Sequence, residues 1–282
     1  MLEFTKRLLE ELEKEGIEAE EITVVKNGCE CTGIRLVGNG DEQLCPVVYY
    51  SQEETLADIV CKVKTVVEQD KPQINVKQLT DRNYVLSHAG LSIVKKGNND
   101  LVKRPILNLE AIVRVELEFD DGKGFLKADK TYLESLGLSE DELWEAAYWN
   151  TADTIRIFTL GEMFGLPMGA MDDPEDATSV PFYVCTTEGQ TNGAVALCYP
   201  EVFKDFCELH QLEEVWLVPS STEEILIVPN MDIDPFEFAE MVDEINNSEV
   251  DPLLQLEPVI YLYNCKSNTI LVAAEAKQKI AV

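Results

Sequence analysis

The hydrophobic positions change period repeatedly along this chain, and each change marks an element. Residues 2–15 place Phe4, Leu8 and Leu12 on one helical face, and Gly16 follows as a C-cap. Ile22–Lys26 and Glu30–Val37 read as strands around Asn27-Gly28, a turn whose residues accept positive φ. Leu44–Tyr50 reads as a third strand. Ser51–Glu54 then forms an N-cap with acids in the first turn. The helix after it carries Leu56, Ile59, Val60, Val63, Val66 and Val67 as one stripe and stops by Pro72. Residues 73–104 are less regular. There Tyr84–Ser87 and Leu91–Val94 read as strands around Ala89-Gly90.

Ala111–Phe119 alternates apolar and charged residues, which predicts a half-exposed strand. Phe125–Ala128 pairs back on it after the turn Asp120–Gly124. Ser139–Glu142 is a capping box that starts a helix running to about Trp149. Met171–Ser179 is an acidic loop. The densest signal lies in Val180–Val228. Phe182–Cys185 reads as a strand, Glu188–Gly193 as a hairpin turn and Ala194–Tyr199 as the return strand. Pro200 opens a helix with Val202, Phe203, Phe206, Cys207 and His210 on one face. Val215–Val218 and Ile225–Val228 are strands joined by the polar turn Ser220–Glu224. Asp234, Pro235 and Glu237 begin a last helix, with Phe238, Ala239, Val242 and Ile245 facing inward. Val259–Tyr263 and Thr269–Ala273 close the series as a hairpin, and the tail Lys277–Val282 reads as frayed. Adjacent strands joined by short turns predict an α+β fold of antiparallel sheets with helices packed on one face, in two lobes. The lobes divide into residues 1–104 and an acidic residues 105–282, unless the chain forms one continuous domain.

Charge changes this picture most. The 282 residues carry 53 Asp and Glu against 23 Lys and Arg, a net charge of −30. Residues 1–130 hold 18 basic and 24 acidic side chains, whereas residues 131–282 hold 5 and 29. Residues 205–265 contain 15 acids and no Lys or Arg. Such a field repels nucleic acid and anionic membranes, favours a basic protein partner or cations, and also serves solubility. Lys95, Lys96, Lys103 and Arg104 form the one basic cluster, which reads as a solvated loop. No apolar run approaches the roughly 18 residues of a membrane span. The amphipathic N-terminus lacks the apolar core of a signal peptide, so a cytoplasmic location is expected. In that compartment the eight cysteines read as reduced, mostly buried thiols.

Candidate chemistry is sparse. Ser220 and Ser221 with Glu224 could supply a nucleophile, but a serine needs a base, and the chain has only His88 and His210. His210, at the end of its helix, is the candidate base. Glu223, Glu224 and Asp232 could gather a divalent cation at one end of a sheet, although Asp234 is already explained as an N-cap. Cys29-x-Cys31 is half a zinc pattern without a second pair. Trp144, Tyr148 and Trp149 could form a ligand platform on one helix, or pack as core. There is no P-loop, dinucleotide fingerprint or HExxH, so no cofactor is expected.

Several segments together resemble a known family. They are KNGCECTGIRL at 26–36, PVVYY at 46–50, YLESLGLSEDELWEAAYWNT at 132–151, YVCTTEGQTNGAVALCYPEVFKDF at 183–206 and VWLVPSSTEEILIVP at 215–229. In this order they resemble domain of unknown function 5688, found mainly in anaerobic gut bacteria. The resemblance implies a bacterial cytosolic α+β protein and brings no activity with it. The family pattern implies a His where this chain has Glu223 and another where it has Ile106. The leading expectation is a non-catalytic interaction or regulatory module whose acidic half meets a basic partner. The alternatives are a hydrolase-like enzyme using Ser220–Glu224 and a small-ligand binder.

Overall fold

The computed structural model describes residues 2–37, 45–51, 53–68, 75–97, 99–119, 122–163, 165, 183–219, 221–229 and 234–276. The acidic loop Met171–Ser179, Ser220, Asp232 and the tail from Lys277 lie outside the described residues. The chain divides into two compact units, residues 1–75 with 119–122, and residues 76–118 with 123–282. The position 104/105 at which the sequence suggests a division falls inside a strand that is paired along its whole length.

The first unit contains α1 (Leu2–Lys14), β1 (Ala19–Lys26), β2 (Cys29–Leu36), β3 (Val47–Tyr49) and α2 (Leu56–Glu68). The strands form an antiparallel sheet in the order β1-β2-β3. Asn27 and Gly28 turn β1 into β2 with φ of 46° and 79°, as the dipeptide predicts. Leu8 and Leu12 of α1 and Ile59, Val60 and Val63 of α2 are buried with Ile34, Leu36 and Val48. Val67 leaves the predicted stripe and is exposed.

The second unit begins with α3 (Val76–Leu79), α4 (Arg82–His88), β4 (Ala89–Val94), β5 (Lys103–Ile106), β6 (Leu109–Phe119) and β7 (Gly122–Lys127), except for Phe119 and Gly122 at the strand ends, which fall in the first. It continues with α5 (Lys130–Leu136), α6 (Glu140–Ala152), β8 (Ile155–Thr159), α7 (Leu160–Met163) and β9 (Tyr183–Thr187). A 3-10 helix (Gly193–Cys198) leads into α8 (Pro200–His210), β10 (Glu214–Val218) and β11 (Ile225–Pro229). The last elements are α9 (Pro235–Glu249), β12 (Val259–Asn264) and β13 (Thr269–Glu275). One antiparallel sheet runs β4-β6-β5 with β7 on β6, and a six-stranded sheet runs β13-β12-β10-β11-β9-β8. The α+β class with antiparallel sheets therefore holds. The six-stranded sheet carries helices on both faces, not one. Phe203, Phe206 and Cys207 of α8 pack on one side with Val215, Leu217 and Tyr261. Phe238, Ala239 and Val242 of α9 pack on the other with Trp216, Val218 and Ile260.

Three predicted segments differ. Tyr84–Ser87 is helical because Asp81 caps α4, accepting from Asn83 N at 2.8 Å and Tyr84 N at 3.3 Å. Tyr84 and His88 then stack one turn apart, with ring centres at 3.8 Å. Ala194–Tyr199 is no return strand. Residues 193–198 wind into a 3-10 helix in which Gly193 to Leu197 are buried. At α9, Ile245 is exposed and Asn246 takes the buried position.

The 3-10 helix is wedged between both sheets of the second unit. Asn192 enters it in the left-handed region, with φ 58°, and is buried. Its Nδ2 donates to Leu91 O at 2.8 Å and its Oδ1 accepts from Ser92 Oγ at 2.5 Å. Gly193 N donates to Glu223 O at 2.8 Å, and Ala194 N to Thr222 O at 3.2 Å. A Cβ on Gly193 would stand 2.6 Å from Cys185 O, Glu223 O and Thr186 Cα, all backbone atoms that cannot swing aside. Gly193→Ala therefore forces the strands apart. It is expected to cost about 3 kcal/mol, at the upper end of overpacking effects. Thermal unfolding should show the loss, and an unchanged midpoint would refute this account of the junction.

Candidate functional site

The turn between β10 and β11 is held from both sides. Thr186 Oγ1 donates to Glu223 O at 2.8 Å, and Thr222 N donates to Leu254 O at 2.8 Å. Ser221 is buried, and its hydroxyl accepts from Glu223 N at 3.1 Å, which closes the turn. Thr222 Oγ1 donates to Glu223 Oε1 at 2.9 Å. Glu224 is half-buried beside them. The described part of the Ser220–Glu224 turn thus uses its polar groups to fix its own shape.

His210 stands elsewhere. At the exposed end of α8 its ring packs on Phe206, with centres at 4.5 Å, and on Tyr183, at 5.0 Å. Tyr183 begins β9, whereas Thr186, which holds the Glu223 turn, lies three residues further along the strand, about 10 Å away. No hydrogen bond joins His210 to Ser221 or Glu224 among the described residues. Nor do those residues contain three His, Cys, Asp or Glu side chains grouped for a metal ion. Cys29 and Cys31 share β2, with Cys31 Sγ 3.6 Å from Cys29 O.

The aromatic residues of α6 divide by role. Trp144 packs against the core under the Arg104 guanidinium, 4.5 Å from its ring centre. Tyr148 packs on Tyr199 at 4.5 Å, and Tyr199 Oη donates to Tyr148 O at 2.7 Å. Trp149 alone is broadly exposed, at 63%. The three do not make one platform. Of the basic cluster, Lys103 pairs with Glu110 at 3.1 Å and Arg104 with Asp141 at 2.6 Å.

Buried thiols do not supply a nucleophile either. Burial pushes Cys185 and Cys198 up to about 12. Cys207, buried beside Cys265, is also pushed up to about 12. A thiol that stays protonated at neutral pH is inert.

Two features stand out once these candidates are placed. The outer face of α9 carries Glu237, Glu240 and Glu244, all exposed, with Met241 and Ile245 exposed beside them. None of these acids forms an ion pair among the described residues. The second feature is Arg114 in the middle of β6, which the sequence reading passes over. It is half-buried, and its guanidinium lies 5.0 Å from the centre of the Phe125 ring. The alternating pattern of β6 signals only that this residue faces away from Val113 and Val115.

Fold and surface together define an antiparallel α+β protein with a sheet covered on both faces and an acidic outer helix. The chain belongs to a family of unknown function, DUF5688, whose model matches residues 1–265. No curated protein and no solved structure matches it.

The thiols predict a pH dependence. Their folded pKa values are raised from 9.0 to about 12, so the neutral form is the one the fold accommodates. Their contribution is fully present below the unfolded thiol pKa and is lost as pH rises towards the folded value. Stability should fall between about pH 9 and 12. Cys185→Ala with Cys207→Ala should flatten that fall in alkaline chemical denaturation, and an equally steep fall in the double variant would exclude these thiols as its cause.

Proposed function

We propose that this is a non-catalytic bacterial cytosolic interaction protein that receives a basic partner on the outer face of α9. The reading rests on one observation, the exposed and unneutralised row Glu237, Glu240 and Glu244 with Met241 and Ile245 alongside. Acids whose role is purely structural cap helices or pair with Lys and Arg, as Asp234 caps α9 and Glu110 pairs with Lys103. Glu240 and Glu244 do neither, and Glu237, in the first turn of α9, has no Lys or Arg partner among the described residues. An apolar margin beside a charged row suits a partner helix or strand that offers Lys or Arg together with apolar side chains. The charge steers the encounter and the apolar margin holds the complex.

The test compares pull-downs from bacterial lysate at about 50 mM and 300 mM salt, which bracket weak and strong screening. The wild-type protein should retain a basic protein at low salt and lose it at high salt. The triple variant Glu237→Gln, Glu240→Gln, Glu244→Gln should bind that protein roughly tenfold more weakly, because three steering charges are gone. Equal capture by both proteins at both salts would overturn the proposal.

A further inference from the structure

Arg114 lies opposite Gly90 of β4 in the β4–β6 pairing. Val113 and Val115 point into the core, so Arg114 shares the other face with Ile112 and Glu116. Ser92, two residues beyond Gly90, lies on this face too, and its hydroxyl bonds Asn192. The next residue, Gly193, binds Glu223 O, so the face continues into the β10–β11 turn. Among the described residues the Arg114 guanidinium has neither a hydrogen bond nor an ion pair. Lys103 and Glu110, by contrast, do pair on the same sheet, at 3.1 Å. Burial lowers the Arg114 pKa, and the charges of Glu116 and Glu223 act against that shift. The group stays charged at physiological pH.

A half-buried guanidinium that makes no hydrogen bond or ion pair keeps its donors for a ligand. The guanidinium carbon lies 5.0 Å from the centre of the Phe125 ring, a cation–π contact that uses none of the N–H donors of the planar fork. That fork matches a carboxylate in bidentate geometry. A simple anion is disfavoured here, because the protein carries a net charge of −30 and Glu116 and Glu223 stand close by. A ligand that brings its own positive charge meets no such repulsion.

We propose that Arg114 and Glu223 form a site for a small zwitterion of the α-amino acid class. The Arg114 fork takes its carboxylate, and the half-buried Glu223 carboxylate, whose Oε1 also accepts from Thr222 Oγ1 at 2.9 Å, takes its ammonium group. This site does not depend on the α9 surface.

Calorimetric titration of the full-length protein with each of the common L-amino acids, and with acetate and methylamine as the two halves of the zwitterion, tests the idea. At least one amino acid should bind saturably in the millimolar range or tighter, and neither half should. Arg114→Lys keeps the charge but loses the fork, and Glu223→Gln keeps the shape but loses the charge. Each should weaken binding by at least about tenfold. Unfolding midpoints without ligand establish that both variants are folded. Should Arg114→Lys fail to fold, Glu223→Gln carries the test. Glu240→Gln on α9 should bind as the wild type does. Absence of binding by every amino acid, binding of acetate as tight as that of any amino acid, or full binding by a folded Arg114→Lys or Glu223→Gln would each overturn the site.

Discussion

Leu91 sits in the middle of an edge strand, yet neither of its outward backbone groups is left to water. Its N–H donates to Thr151 Oγ1 at 2.9 Å and its carbonyl accepts from Asn192 Nδ2 at 2.8 Å. Asn150 adds bonds to Leu86 O at 2.8 Å and Ala89 O at 2.9 Å. The free edge of β4 is thus closed by side chains from α6 and from the entry to the 3-10 helix. An unmade bond at such a buried position costs about 1–3 kcal/mol, so each of these side chains is fixed in place. The rest of the second unit follows from that requirement. Asn192 must adopt the left-handed conformation to present its amide. Gly193 must lack a side chain so that the backbones of β9 and the β10–β11 turn can close on it. The apolar residues of the 3-10 helix then fill the space between the two sheets.

Much of this fold is written locally. Asn27-Gly28 makes its turn, Ser139 caps α6 with Glu142 N at 3.2 Å, and Asp234 caps α9. In each case the residues that decide the conformation are neighbours in the chain. The failures occur where distant groups decide. Residues 194–199 have the apolar run of a strand, and their sequence does not contain the β4 edge that Asn192 must reach 101 residues away. Tyr84–Ser87 looks like a strand because four residues are too few to show a helical period; Asp81 and the Tyr84–His88 stack decide it. At Ile245 and Asn246 an apolar residue and a polar one exchange their expected places, because α9 turns its face by the position of its cap and not by composition alone.

The two proposed surfaces were unequally legible. The acidic half could be read from charge counts, and the structure sets three of its acids, Glu237, Glu240 and Glu244, in one exposed row with an apolar margin. Arg114 could not be read, since a single charge in an alternating strand looks like any solvent-facing residue. What sets it apart is that its guanidinium makes neither a hydrogen bond nor an ion pair among the described residues, which is a property of space. The serine turn showed the reverse. Its residue types suggested chemistry, whereas the hydroxyls of Ser221 and Thr222 are engaged within the turn.

The bond between Ser92 and Asn192 spans 100 residues, and this bears on how the chain is made. During synthesis β4 leaves the ribosome long before the amide that seals it. At roughly 5–20 residues per second the strand waits about 5–20 s with its backbone edge open. Edges of that kind recruit other strands. For that interval the nascent chain is exposed to mispairing, and α6, whose Asn150 and Thr151 bond the backbone at Leu86, Ala89 and Leu91, is the first later element that can cover the edge.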